Sequence, residues 1–105
     1  MNGNKPVPIR YDEIHEHGTG LIESDPEISP WHVKTVRKGN ITEFHFKKET
    51  EISILAKAHG ALRELAVSKG LRIANARNLN VPPRIEIFYN KYNKILVLMH
   101  SSPKA

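Results

Sequence analysis

A β-hairpin centred on the dipeptide Gly39-Asn40 is the feature that most constrains the fold of this chain. Glycine adopts a positive φ at little cost, and a two-residue turn of this kind suits the twist of two paired strands. The turn predicts three facing pairs: Arg37 with Thr42, Thr35 with Phe44, and Val33 with Phe46. Because a slip of one residue would mix polar and apolar side chains, the hydrophobic pattern and the turn favour the same register.

Side chains alternate between the two faces of a strand, so the hairpin predicts one apolar face and one polar face. The apolar face is expected to carry Trp31, Val33, Thr35, Phe44 and Phe46. The polar face is expected to carry His32, Lys34, Val36, Glu43, His45 and Lys47. A helix packed on the apolar face would leave the polar face to solvent or to a partner.

Apolar residues at helical spacing predict a helix from Thr50 to Lys69, with Thr50 as its cap. Gly70 is expected to end that helix in the left-handed conformation, with Leu71 folding back onto it. Residues 10–17 are predicted as an edge strand that ends at residues 18–20, whose sequence is Gly-Thr-Gly.

A second hairpin is predicted from residues 84–89 and 94–100, and Leu71 to Ile73 add a short strand. Residues 95–99 are apolar at every position, which indicates a strand buried on both faces or at the sheet centre. The fold class is therefore α+β. It is expected to comprise a mostly antiparallel sheet of about four to six strands, with one main helix packed on one face.

The length of 105 residues predicts a single domain spanning 1–105. Residues 1–9 and 101–105 are expected to be mobile, and 11–27 forms an acidic N-terminal segment. The chain has no cysteine, which excludes disulfides and thiolate metal sites and agrees with a reducing compartment. It has no secretory signal pattern and no apolar run of the roughly 20 residues that a membrane span needs, so we expect a cytoplasmic protein without a membrane partner.

Charge is unevenly distributed along the chain, whose formal net charge is +5. Residues 11–27 hold six acidic residues and no lysine or arginine, whereas residues 28–105 hold fourteen lysines and arginines against five acidic residues, a local net charge of +9. Such a balance favours a polyanionic partner. The alternative is ordinary solubility, because small domains often carry a net charge of about 2–8.

Non-catalytic nucleic-acid binding is the leading functional prediction. Tyr89 and Tyr92 lie near the second hairpin turn and are expected to stack on a base, with Lys91 and Lys94 beside them. RNA is favoured over DNA because the predicted helix has no basic face suited to the major groove. The residues predicted to bind are His32, Lys34, His45, Lys47, Arg72, Arg77, Arg84 and Tyr92. The alternative for the hairpin residues is a solvated face of an antiparallel sheet.

A metal site is a further candidate, because on an extended strand His15 and His17 project to the same side. The same imidazoles admit a small ribonuclease, in which histidines exchange protons and a lysine holds the phosphate. Its residues would be His15, His17, His32, His45 and Lys34.

A third class of function is a protein-interaction or regulatory module. It would dimerise or bind a partner through residues 95–99 at an open sheet edge. No cofactor is expected, and no phosphate-binding glycine loop occurs, because Gly18 and Gly20 lack the lysine and the helix that follow such a loop. Nothing indicates nucleophilic catalysis by serine or cysteine, because the chain has no cysteine and no Gly-x-Ser-x-Gly motif.

Overall fold

A computed structural model describes residues 8–75, 77 and 81–102 as a four-stranded antiparallel sheet with two α-helices. The helices are α1 (Ile14–Ser24) and α2 (Ile52–Ser68). The strands are β1 (His32–Lys38), β2 (Ile41–Phe46), β3 (Arg84–Asn90) and β4 (Ile95–Ser101). Their order in the sheet is β1-β2-β4-β3. The predicted α+β class is confirmed, with one helix more than the sequence analysis expected.

Both hairpins form as predicted near their turns. Gly39 has a φ of +58°, and Lys38 pairs with Ile41 across the two-residue turn. Thr35 faces Phe44, and Arg37 faces Thr42, as expected. Strand β4 lies between β2 and β3, which confirms its predicted central position. The same position overturns the expectation that residues 95–99 form an open edge.

The start of β1 departs from the predicted register, because a β-bulge shifts the pairing between His32 and Lys34. His32, not Val33, lies opposite Phe46, and Val33 is 58% exposed. The His32 ring therefore turns to the helix-covered side, where its centroid lies 5.9 Å from that of Phe46. The predictions that Val33 faces Phe46 and that His32 lies on the polar face are therefore wrong.

Residues 10–17 are not a strand. A 3-10 turn at Tyr11–Glu13 leads into α1, which continues through Gly18 and Gly20. The buried residues Ile14, Gly18 and Ile22 recur every four positions, which is the spacing of a helix face. The two glycines led the sequence analysis to expect a turn. Each glycine destabilises a helix by about 1 kcal/mol relative to alanine, but burial of this helix face compensates for that loss.

Helix α2 begins at Ile52, and the residue before it, Glu51, makes no side-chain cap hydrogen bond. Thr50 is therefore not the cap; its hydroxyl is buried and finds no hydrogen-bond partner among the described residues. The end of the helix agrees with prediction. Gly70 has a φ of +80°, and the Leu71 N–H donates to the Ala66 carbonyl at 3.0 Å.

The segments at the ends of the chain lie partly outside the described residues. Ile9 belongs to the N-terminal segment that was expected to be mobile, but it packs against the core, and its N–H donates to the Lys69 carbonyl at 3.2 Å. Ser101 is the last residue of β4. Leu71 to Ile73 form no strand, although Ile73 makes an isolated parallel bridge to Ile85.

The core lies between the two helices and one face of the sheet. Buried side chains from α1, α2 and three strands form one cluster that includes Ile22, Leu55, Leu62, Phe44 and Leu98. Apolar side chains on the other face of the sheet, such as Val97 and Phe88, are not part of that cluster. Helices therefore cover one face of the sheet only.

Gly18 sets how closely α1 approaches this core. A Cβ atom at this position would lie 3.0 Å from Leu98 Cδ2 and 3.2 Å from Leu62 Cδ2, whereas one at Gly20 would meet nothing within 4 Å.

We expect Gly18→Val to lower the free energy of unfolding by about 1–3 kcal/mol through overpacking. Gly20→Val, the matched control, should change it by less than about 0.5 kcal/mol. Urea unfolding followed by Trp31 fluorescence measures both; equal stability of the two variants would contradict the close approach.

Candidate functional site

The predicted nucleic-acid-binding residues separate into two groups at opposite ends of the sheet. Lys34 pairs with His45 at one end, as expected, and Lys47 follows directly after β2 at that same end. Arg72 and Arg84 lie at the other end, where β3 begins. His32 belongs to neither surface because its ring faces the core.

The arginines at the far end make local contacts. The Arg72 guanidinium donates to the carbonyls of Val81 and Pro83, and so fastens the loop that precedes β3. Arg84 pairs with Glu86 at 3.0 Å. The described part of that loop also includes Arg77, which is exposed and whose backbone N–H donates to the Asn75 side chain.

Lysines gather at the opposite end of the sheet because four chain segments start or stop there. Antiparallel pairing places the start of β1, the end of β2, the start of β4 and the end of β3 side by side. We call this surface the lysine-rich end; its cations are Lys34, Lys47, Lys48, Lys91 and Lys94. The carboxylates near this end are Glu43, which lies 3.0 Å from His45, and Glu49 and Glu51, which follow Lys48 in the chain.

The exposed lysines of this end are free of ion pairs. Within the described ranges, none of Lys34, Lys47, Lys48 and Lys91 lies within salt-bridge distance of a carboxylate. Lys94 is half-buried, and its ammonium donates to the Thr50 carbonyl at 2.8 Å. By contrast, Lys57 and Arg84, which lie elsewhere, are paired with Glu27 and Glu86.

The β3–β4 turn adds an aromatic platform to the lysine-rich end. Tyr92 is 85% exposed, and the Lys91 ammonium lies 5.4 Å from its ring centroid. The Asn90 side chain accepts hydrogen bonds from the backbone N–H groups of Tyr92 and Asn93, which fixes the turn. Tyr89, Asn90, Lys91 and Tyr92 line an open cleft of about 430 Å³, within the size range of small-ligand sites.

A separate polar cluster, not predicted from sequence, lies inside the core. The Nδ1 atom of His15 lies 2.6 Å from the Thr42 hydroxyl, and its Nε2 atom lies 2.8 Å from His100 Nδ1. All three side chains are buried. The sequence indicates the burial of each ring but not their contact: His15 shares a helix face with Ile22, and His100 shares strand parity with Leu96 and Leu98.

The pKa of His15 is lowered from 6.5 to about 4, chiefly by burial, with smaller contributions from the nearby charges of Arg37 and His100. Burial also lowers the pKa of His100. The Asp12 carboxylate opposes both effects without overcoming them. The pair is therefore neutral near pH 7, with one ring donating to the other.

The helix assignment changes the other histidine predictions. On α1, His15 and His17 are two positions apart and point in different directions, so they cannot grip one metal as they would on a strand. Among the described residues, no group of three or more potential ligands is arranged to hold a metal ion. The ribonuclease set is dispersed: His15 lies in the core, His32 bonds Thr35, and His45 bonds Glu43.

A second cleft, of about 420 Å³, opens between α1 and the first hairpin above the buried histidine. Its charged lining consists of Glu16, Glu23 and Arg37. Carboxylates outnumber the guanidinium, so this cleft does not favour an anion. The lysine-rich end is the better candidate for a functional surface.

Comparison of the chain with known protein families, curated proteins and solved structures finds no match. Within the described residues, no helix has the length and apolar character needed to cross a membrane.

Because the histidine pair is buried, we expect the free energy of unfolding to decrease as the pH is lowered. The unfolded His15 binds a proton near its ordinary pKa of 6.5, whereas the folded residue binds one only near pH 4. The free energy of unfolding should therefore be constant above about pH 6.5 and fall by about 3 kcal/mol between pH 6.5 and 4.

Urea unfolding at a series of pH values measures this effect. His15→Gln should be less stable at pH 7.5 because it disrupts the hydrogen bonds to Thr42 and His100, and its acid-dependent loss should be smaller. His17→Gln, on the same helix but outside the cluster, is the matched control and should keep the wild-type pH profile. An unchanged profile in His15→Gln would show that other groups cause the acid loss.

Proposed function

We propose that this protein binds single-stranded nucleic acid, RNA in preference to DNA, through the lysine-rich end of its sheet. The observation that carries the proposal is that, among the described residues, four exposed lysines without an ion pair and the exposed ring of Tyr92 lie at the same end of the sheet. Lysines neutralise phosphates and release counterions, and an exposed aromatic ring stacks on a base.

Single strands fit this surface better than duplexes. Within the described residues, α1 contains no lysine or arginine, and the two in α2 are Lys57, which is paired with Glu27, and Arg63. A helix entering the major groove needs a row of base-reading and phosphate-binding side chains, and neither helix provides one. An open platform with one exposed ring instead suits unstacked bases, which are the usual target of sequence-specific RNA recognition.

The electrostatic part of the proposal is tested by salt dependence. Affinity for a labelled single-stranded RNA, measured by fluorescence anisotropy, should fall steeply between about 50 and 200 mM salt. Lys34→Ala combined with Lys47→Ala removes two phosphate contacts and should reduce the slope of log K against log salt by about 1.4.

A control variant with the same loss of charge distinguishes binding at a local site from an effect of the protein's net charge. Arg63→Ala combined with Lys69→Ala removes two cations from α2 and its C-terminal end, and should leave the slope near the wild-type value. If both double variants behave alike, the binding is non-specific; if no polyanion binds at 50 mM salt, the proposal is wrong.

The stacking part is tested at Tyr92. Because loss of one base–aromatic stack costs about 1–3 kcal/mol, Tyr92→Ala should weaken RNA binding by roughly 5- to 150-fold. Tyr92→Phe keeps the ring and should bind like the wild type. Neither variant should alter the unfolding midpoint, since the ring is 85% exposed. Equal affinity of Tyr92→Ala and the wild type would remove the ring from the site.

A further inference from the structure

The Asn90 side chain is held in a fixed orientation at the turn between β3 and β4. Its Oδ1 atom accepts one hydrogen bond from the Tyr92 N–H at 2.8 Å and another from the Asn93 N–H at 3.1 Å. An amide oxygen has two lone pairs, so both acceptor positions of this side chain are occupied. The backbone closes the same turn, since the Lys94 N–H donates to the Asn90 carbonyl at 3.0 Å.

The nitrogen of the Asn90 amide is a donor that the fold leaves available. Within residues 8–75, 77 and 81–102, no acceptor lies within hydrogen-bond distance of Asn90 Nδ2. Asn90 is exposed and lines the open cleft of about 430 Å³ together with Tyr89, Lys91 and Tyr92. The Lys91 ammonium is also a donor and never an acceptor. The side chains of Asn90 and Lys91 therefore offer the cleft donors only.

Nucleic-acid bases differ in the groups that they present to such donors. Uracil and guanine carry a carbonyl oxygen at the position where cytosine and adenine carry an amino group. An asparagine usually recognises adenine because its amide donates and accepts at the same time, whereas lysine donates to O6 and N7 of guanine. Asn90 cannot act in the first way, because its oxygen is already bonded to the turn.

The register of the sheet connects Asn90 with Lys34 at the far side of the lysine-rich end. Asn90 pairs with Ile95, Ile95 with His45, and His45 with Lys34, so the four residues form one row across the strands. Neighbouring strands lie about 4.8 Å apart, which places the backbone of Asn90 about 14 Å from that of Lys34. A short single strand that follows this row can place a phosphate at Lys34 and a base at Asn90 together.

We propose that Asn90 makes the lysine-rich end selective for bases with a carbonyl group, uracil and guanine, over the amino bases cytosine and adenine. The selectivity rests on the nucleic-acid binding proposed above. A base stacked on Tyr92 receives hydrogen bonds at its edge from the Asn90 amide and the Lys91 ammonium. A carbonyl oxygen accepts these bonds, whereas an amino group in the same place sets donor against donor.

The preference for oligo(U) over oligo(C) of equal length tests this selectivity, because the two pyrimidines differ in having a carbonyl or an amino group at position 4. Affinities are measured by fluorescence anisotropy at neutral pH and about 50 mM salt, where phosphate contacts are strong. The wild type should bind oligo(U) more tightly by roughly 2- to 12-fold, which is the equivalent of one net hydrogen bond.

Asn90→Asp removes the donor and keeps the turn. A carboxylate retains the oxygen that accepts from the Tyr92 and Asn93 N–H groups, and it replaces the amide donor with an acceptor suited to the amino group of cytosine. The ratio of the two affinities should therefore fall to equality or change to a preference for oligo(C). The added negative charge weakens the binding of both RNAs, so the measure is their ratio.

Asn93→Asp adds the same charge to the same turn and is the matched control, which should keep the wild-type ratio. Equal binding of oligo(U) and oligo(C) by the wild type would overturn the selectivity and leave nucleic-acid binding intact. An identical ratio in Asn90→Asp and the wild type would do the same. If the wild type binds neither RNA, the proposed function itself is wrong, and the selectivity falls with it.

Discussion

The close contact between α1 and the sheet at Gly18 is the constraint on which the rest of the structure depends. A Cβ atom at this position would lie 3.0 Å from Leu98 Cδ2 and 3.2 Å from Leu62 Cδ2, so a larger residue would require these methyl groups or the helix to shift. The same approach buries His15 against Thr42 and His100. Because α1 and α2 share one face of the sheet, the other face is left to solvent or to a partner.

Protection of the sheet edges and exposure of its open face are complementary features. Backbone groups of β3 are bonded to a neighbouring segment and to His59, whereas the centre of the open face keeps Phe88 half-exposed. Edge pairing is made by backbone hydrogen bonds that form with little regard to the partner's side chains, and it therefore invites aggregation, while packing through a face depends on matched side chains.

Local sequence signals were sufficient to predict the turn of the first hairpin and the end of α2, because short-range backbone geometry determines both. The Gly39 turn set the hairpin register, and Gly70 with Leu71 set the end of α2. Helix α1 was missed because its two glycines oppose helix formation locally, and only tertiary burial compensates for them. The bulge at Val33 was missed for a related reason, since pairing rules assume an uninterrupted ladder.

The surface sites were only partly predictable, because they depend on which chain segments meet. Lys34 and His45 were correctly placed together from the hairpin alone. Their proximity to the Tyr92 turn follows from β2 pairing with β4, a contact between residues about 50 positions apart in the chain. The His15–His100 bond joins residues 85 positions apart, and no local pattern encodes it.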